Sequence, residues 1–254
     1  MRIDAQIPTR VREARSAATD ISSNIDAIVG SFNTWAFKRE QPSDTALLRQ
    51  AVANAVVEHT PVPFVLYWGK GPRIEAAGME AQSLAYLASL GERVQRIFPP
   101  GARFDLLMTD SHARLNGYQE QDINAYFDSI TKAAGRYGFT CRRLSEVTNS
   151  AQSSINKEPL ERPDPQLLAN LSRSAAKWYL GSDDPSVAAV RYFALNMIER
   201  RAVAQTYPDT IFITFNNSQF RPLFPRELPI FYMYSVKKGV AVKPWFMEDA
   251  IVAA

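Results

Sequence analysis

The sequence predicts an α/β protein: a parallel-containing mixed sheet of Rossmann-like type, flanked by helices and preceded by an N-terminal helical cap. Three observations predict it. Short apolar runs bounded by Gly and Pro alternate with longer stretches whose apolar residues recur every three or four positions. The connections between runs are long enough for crossovers, which parallel strands require. Two helical stripes stand before the first strand run.

The first forty residues carry Val11, Ala14, Ala18, Ile21, Ile25, Ile28 and Val29 at the period of one helix face. A second helix is expected from Ser43, read as its cap just after Pro42, with Leu47, Leu48, Ala51, Val52, Ala55 and Val56 as its stripe. These helices form a cap over residues 1–60, and residues 61–254 form the α/β body, the two making one compact unit. Pro63–Trp68 is an almost unbroken apolar run ending in Gly69-Lys70-Gly71-Pro72, which favours a buried strand. A helix over about Glu75 to Ile97 is stopped by Pro99-Pro100-Gly101. Arg103–Thr109 reads as the second strand, Gln119–Tyr137 as a helix and Phe139–Leu144 as the third strand.

Thr148–Asp164 interrupts the alternation and reads as a polar, proline-punctuated connection. Helices are expected over Pro165–Leu180 and Pro185–Thr206, separated by Gly181-Ser182-Asp183-Asp184. Thr210–Phe215 and Pro229–Tyr234 read as strands, and Lys237-Lys238-Gly239 as a hairpin turn into Val240–Val242.

Composition narrows the function. The 254 residues hold 29 Lys+Arg and 26 Asp+Glu, a net charge of +3, too small for nucleic-acid binding by bulk electrostatics. The one cysteine, Cys141, excludes an intramolecular disulfide and a Cys-built metal site. Two histidines, His59 and His112, leave little for a histidine-rich metal site or relay. No apolar run approaches the roughly 18–20 residues that span a bilayer, and the polar start of the chain lacks a signal-peptide segment. A cytoplasmic protein acting on small molecules, without nucleic acid, membrane or metal, is the expectation; the oligomeric state is not legible.

In a parallel sheet ligands sit outside the carboxyl ends of the strands. Lys70 and Arg73 follow the first strand there, and Asp110 and His112 the second. The glycines around Lys70 open the loop to a ligand, and with Arg73 they make a cradle for phosphate or carboxylate or, equally, a tight solvated turn. Asp110 fits two readings, an acid/base or a cap for the next segment. His112 fits a proton shuttle or plain polar surface. Arg191 shares a helix turn with Val187, Val190, Ala194 and Leu195, so an inward direction would demand an anionic partner. Glu199, Arg200 and Arg201 read as a solvated helix face. Tyr232 and Tyr234 share one strand face, and Phe212, Phe215, Phe231, Trp245 and Phe246 form a packing group that can also line an apolar pocket.

Two stretches then carry a family resemblance. One is Pro63-Phe64-Val65-Leu66-Tyr67-Trp68-Gly69-Lys70, followed by a helix, Ile97–Gly101 and Phe104–Asp110. The other is Arg200–Ile211, containing Tyr207-Pro208-Asp209-Thr210-Ile211, together with Lys243-Pro244-Trp245. This order resembles the isocyanide (isonitrile) synthase family, grouped with pyoverdine and dityrosine biosynthesis proteins, over about Val62 to Phe246. Its members carry a lysine loop, a strand ending in Ser-Asp-Gly, a Tyr-Pro-x-x-Ile strand and a terminal Pro-Trp-His. Here the acid is kept in Thr109-Asp110-Ser111, while Asn216 and Phe246 stand where the family pattern has histidines.

The resemblance implies an enzyme of specialised metabolism, metal- and cofactor-independent. It would condense an amino acid's amine with ribulose 5-phosphate, leaving one carbon on nitrogen as an isonitrile. It implies Lys70 as the loop lysine and Asp110 as the strand-end acid. His112 completes the catalytic candidates, and Arg73, Arg191 and Tyr232 are the substrate-binding candidates. A diverged member catalysing another amine or amino-acid modification, and a non-catalytic accessory protein, remain the alternatives.

Overall fold

The computed structural model describes residues 9–69, 77–155, 161–234, 236–237 and 240–241. Lys70, Arg73, Trp245 and Phe246 lie outside the described residues. Helices α1 (Thr9–Phe32) and α2 (Thr45–Glu58) precede β1 (Val62–Trp68), as the N-terminal stripes predict. Then come α3 (Ala77–Ile97), β2 (Ala102–Met108), α4 (Asp110–Leu115), α5 (Glu120–Gly135) and β3 (Thr140–Arg143). The chain continues through α6 (Leu144–Ile155), α7 (Pro165–Trp178), α8 (Pro185–Thr206), β4 (Ile211–Thr214), a 3-10 turn (Ser218–Leu223) and β5 (Ile230–Tyr232).

Five strands form one sheet in the order β3-β2-β1-β4-β5, every neighbouring pair parallel. Antiparallel pairing is peripheral: the expected hairpin, as β6 (Val236–Lys237) against β7 (Val240–Ala241), and a bridge between Lys38 and Met233.

Strand periodicity sorts the core into two layers. Phe64, Leu66 and Trp68 of β1 join Phe104, Leu106, Ile211 and Ile213 on one face, covered by Ile28, Phe32, Leu48, Leu87 and Phe127 from α1, α2, α3 and α5. Val65, Leu107, Phe212 and Ile230 face the other way, against Leu144, Val147, Leu171, Phe193 and Met197 from α6, α7 and α8. Burial on both faces explains why the strands read as unbroken apolar runs. After β1 the chain moves one way along the sheet to β2 and β3. It then crosses back through α6–α8 to lay β4 on the opposite side of β1. Strand order therefore reverses between β1 and β4, the place where such sheets open a crevice.

Two local expectations are corrected. Asp44, not Ser43, caps α2, its side chain accepting from Leu47 N–H at 2.9 Å, while Ser43 Oγ accepts from Ile230 N–H and ties the segment to β5. The connection read from Thr148 begins instead inside α6. Its buried stripe of Leu144, Val147 and Ala151 is sparse among Ser, Thr and Asn residues, so packing against α8 rather than propensity makes the helix. None of the described helices is long and apolar enough to cross a membrane.

Candidate active site

A cavity of about 570 Å³ opens at the carboxyl ends of β1, β2 and β4, at the reversal of strand order. The ends of β1 and β2 are locked together there: Thr109 N–H donates to Trp68 O, and Thr109 Oγ donates to the carbonyls of Trp68 and Gly69. Gly69 turns the chain out of β1 with φ +85°, and a Cβ at that position would lie 3.0 Å from the Phe127 ring. Backbone conformation and space both reserve the position for glycine.

Directly after Thr109, α4 presents His112 to the cavity. His112 Nε2 lies 2.5 Å from Glu199 Oε2 on α8, and Ser111 Oγ donates to Glu199 Oε1. Glu199 is 0% exposed and the imidazole is buried. With the carboxylate accepting, Nε2 donates to Glu199, and Nδ1 has no hydrogen bond to a described residue. Tyr192 and Tyr67 pack edge-on against the imidazole, with ring centroids 4.9 and 6.1 Å away.

Burial, reinforced by the Glu199 charge, pushes the Tyr192 phenol up to about 12 and that of Tyr67 well above its ordinary value. Both remain neutral hydrogen-bond donors at physiological pH. The Tyr67 hydroxyl and Trp68 Nε1 are buried with no hydrogen-bond partner among the described residues. Buried polar groups are rarely left so unless something else engages them, and both residues line the cavity. Because Tyr67 Oη has no partner to lose among the described residues, Tyr67→Phe should leave the melting temperature unchanged or raise it slightly. Thermal denaturation checks this. A fall of several degrees would mean that the hydroxyl has a structural partner.

The remaining walls are mixed. Phe212, Phe215, Phe220 and Trp178 supply apolar area, while Asn116, Asn196, Thr214 and Arg39 supply polar groups. On the α3/α5 side Tyr126 Oη donates to Glu80 Oε1 at 2.6 Å. No group of three or more His, Cys, Asp or Glu residues among the described residues is arranged to hold a metal ion.

The other sequence-derived candidates fall elsewhere. Asp110 is buried but does not line the cavity. Its carboxylate accepts from Ser145 N–H at 3.1 Å, Ser145 Oγ at 2.5 Å and Arg114 at 2.7 Å, so of its two readings the geometry is that of a cap, here for the start of α6. Burial alone would raise its pKa; the Ser145 bonds and Arg114 outweigh that and hold it below the usual 3.8. Arg191 does not point inward: its side chain is 55% exposed and pairs with Asp183. The Val187 and Val190 beside it on α8 are themselves exposed, so the apolar neighbours that suggested an inward face mark no core. Tyr232 is buried in the α6–α8 core layer rather than in the cavity wall.

Glu199 and Arg200 are not solvated but buried, Arg200 bonding Glu161 at 2.6 Å and the Pro222 carbonyl. A signal for them was present. Met197, Ile198, Ala202 and Val203 surround the pair, and a helix apolar on several faces is buried, so its charges require partners.

Fold and cavity together define a doubly wound parallel α/β protein with a cavity at the sheet's switch point and a buried His–Glu pair in its wall. Neither a protein-family model nor a curated protein matches the sequence. Among solved structures the chain is similar to the PvcA protein from Pseudomonas aeruginosa, with a TM-score of 0.62 and 16% sequence identity, over 83% of this chain and 92% of that one. The likeness is one of fold.

Proposed function

We propose that this chain is an isocyanide synthase-like enzyme of specialised metabolism, joining the amine of an amino acid to ribulose 5-phosphate and releasing an isonitrile. The sequence resemblance suggests the reaction, and the fold shared with PvcA is compatible with it. The observation that carries the proposal is His112, held by Glu199 in the wall of the cavity beside a Tyr67 hydroxyl with no hydrogen-bond partner among the described residues.

Condensation of an amine with a ketone needs a proton removed from nitrogen and one delivered to the departing oxygen. Imidazole Nδ1 can do both in turn, because Glu199 fixes the ring and balances charge that develops on it. The neutral phenols of Tyr67 and Tyr192 can hold substrate oxygens without adding negative charge.

One observation favours a second reading, a diverged relative that modifies an amine in another way. Asp110, the residue carried over as the strand-end acid, is occupied by Arg114 and Ser145 and stands outside the cavity. Incubating the protein with each protein amino acid, with and without ribulose 5-phosphate, and following products by mass spectrometry separates the readings. The proposal predicts an isonitrile only when both substrates are present. A nitrogen-modified product that forms without the phosphosugar supports the second reading, and no product with any amino acid contradicts both.

A further inference from the structure

The cavity contains a cation supplied from outside the α/β core. Residues 37–39, between α1 and α2, run antiparallel to the chain leaving β5: Tyr234 N–H donates to Phe37 O at 3.0 Å and Arg39 N–H to Tyr232 O at 2.7 Å, around the Lys38–Met233 bridge. This extension fixes Arg39 at the carboxyl edge of the sheet, and its side chain lines the cavity. Among the described lining residues it is the only Lys or Arg.

Its guanidinium differs from the others nearby. Arg114, Arg191, Arg200 and Arg226 each donate to a carboxylate within hydrogen-bonding distance, and Arg221 donates to the backbone carbonyls of Phe224, Pro225 and Arg226. Among the described carboxylates Arg39 approaches only Glu40, at 3.9 Å, beyond a hydrogen bond. The Glu40 carboxylate meanwhile accepts Ser218 N–H at 3.2 and 3.4 Å. The side chain is 38% exposed, so the charge remains solvated while it waits. Across β5 from the Arg39 segment, Thr214 on β4 also lines the cavity, its Oγ accepting from Asn216 N–H at 3.1 Å. A planar guanidinium with five unspent N–H groups suits a bidentate oxyanion.

We propose that Arg39 binds the anionic group, carboxylate or phosphate, of the substrate held in this cavity. The N-terminal helices then do more than cover the sheet, since the segment between them completes the site. The proposal rests on the cavity being the substrate site, as in the proposed function.

Binding of paired probes to wild type, Arg39→Gln, Arg39→Lys and Arg191→Gln, measured by calorimetry, tests it. Ribulose 5-phosphate against ribulose reads the phosphate, and each amino acid that binds against its carboxamide reads the carboxylate. Hydrogen bonds to a charged group are worth about 1.5–3 kcal/mol, so Arg39→Gln should weaken one anionic probe by about 10- to 150-fold. Its uncharged counterpart should be unaffected, and Arg39→Lys should recover part of the loss. Arg191→Gln, which removes an equal charge outside the cavity, should leave every affinity unchanged. Equal affinities in wild type and Arg39→Gln, equal losses in Arg191→Gln, or no binding of any anionic probe by wild type would overturn the proposal. Turnover that persists unchanged in Arg39→Gln sinks this inference but not the proposed reaction. Anion binding that depends on Arg39 without any turnover sinks the reaction but not the inference.

Discussion

Glu199→Ala should destabilise the protein by about 3 kcal/mol and abolish turnover together. The carboxylate is 0% exposed and satisfies two groups, the buried His112 Nε2 and the half-buried Ser111 Oγ. Truncation leaves both unpaired beside a void, and each unsatisfied buried group costs about 1–3 kcal/mol. For a chain of this size that amounts to a fall in melting temperature of about 6–12 °C. Glu199→Gln separates the two effects. A glutamine of the same shape can accept from His112 with its carbonyl and donate to Ser111 with its amide, so the loss of stability should stay near 1 kcal/mol. The charge that supports a protonated imidazole in the transition state is gone, and kcat should fall by about 100-fold or more with KM little changed. Thermal denaturation and steady-state kinetics on the two variants check this. A glutamine variant with wild-type kcat would show that Glu199 only packs.

The second large effect is structural and pH-dependent. Asp110→Ala should cost about 2–3 kcal/mol, because Ser145 N–H and Oγ lose their acceptor at the start of α6. Arg114 softens the loss, since its side chain is 42% exposed and also bonds Glu120. The sign with pH follows from the lowered carboxyl pKa. A group depressed on folding contributes its full stability above its unfolded value, near 3.8, and loses it as pH falls below that through the folded value. Wild type should therefore lose stability more steeply than Asp110→Ala as pH drops below about 4. Denaturant unfolding of both proteins between neutral and acid pH measures the difference. Parallel curves would show that Asp110 is not the ionised cap that the geometry makes it.

Much of the fold was legible because buried parallel strands announce themselves. Pro63–Trp68 and Thr210–Phe215 are short, apolar on both faces and bounded by turn residues. The α6 segment was not, since Thr148, Asn149 and Ser150 dilute the buried stripe of Leu144, Val147 and Ala151. For the site, the strand-end rule led to the edge of the sheet where the cavity opens, and His112 and Gly69 both line it. What the sequence could not supply was partners. Position along the chain does not reveal that Asp110 faces Ser145, 35 residues away, or that Arg191 meets Asp183 on the surface. Glu199 lies 87 residues from His112, and only the crossing of α8 beside α4 brings them together. Arg39 was silent for a similar reason, because its place depends on a bridge to the far end of the chain.

The central claim is that chemistry takes place at His112 in the crevice between β1 and β4. Its most direct test is product formation by His112→Gln against wild type, at equal concentrations of folded protein, with amino acids and ribulose 5-phosphate. Wild type should yield an isonitrile, and the variant should yield it at least about 100-fold more slowly. Product formed by the variant at the wild-type rate would contradict the account.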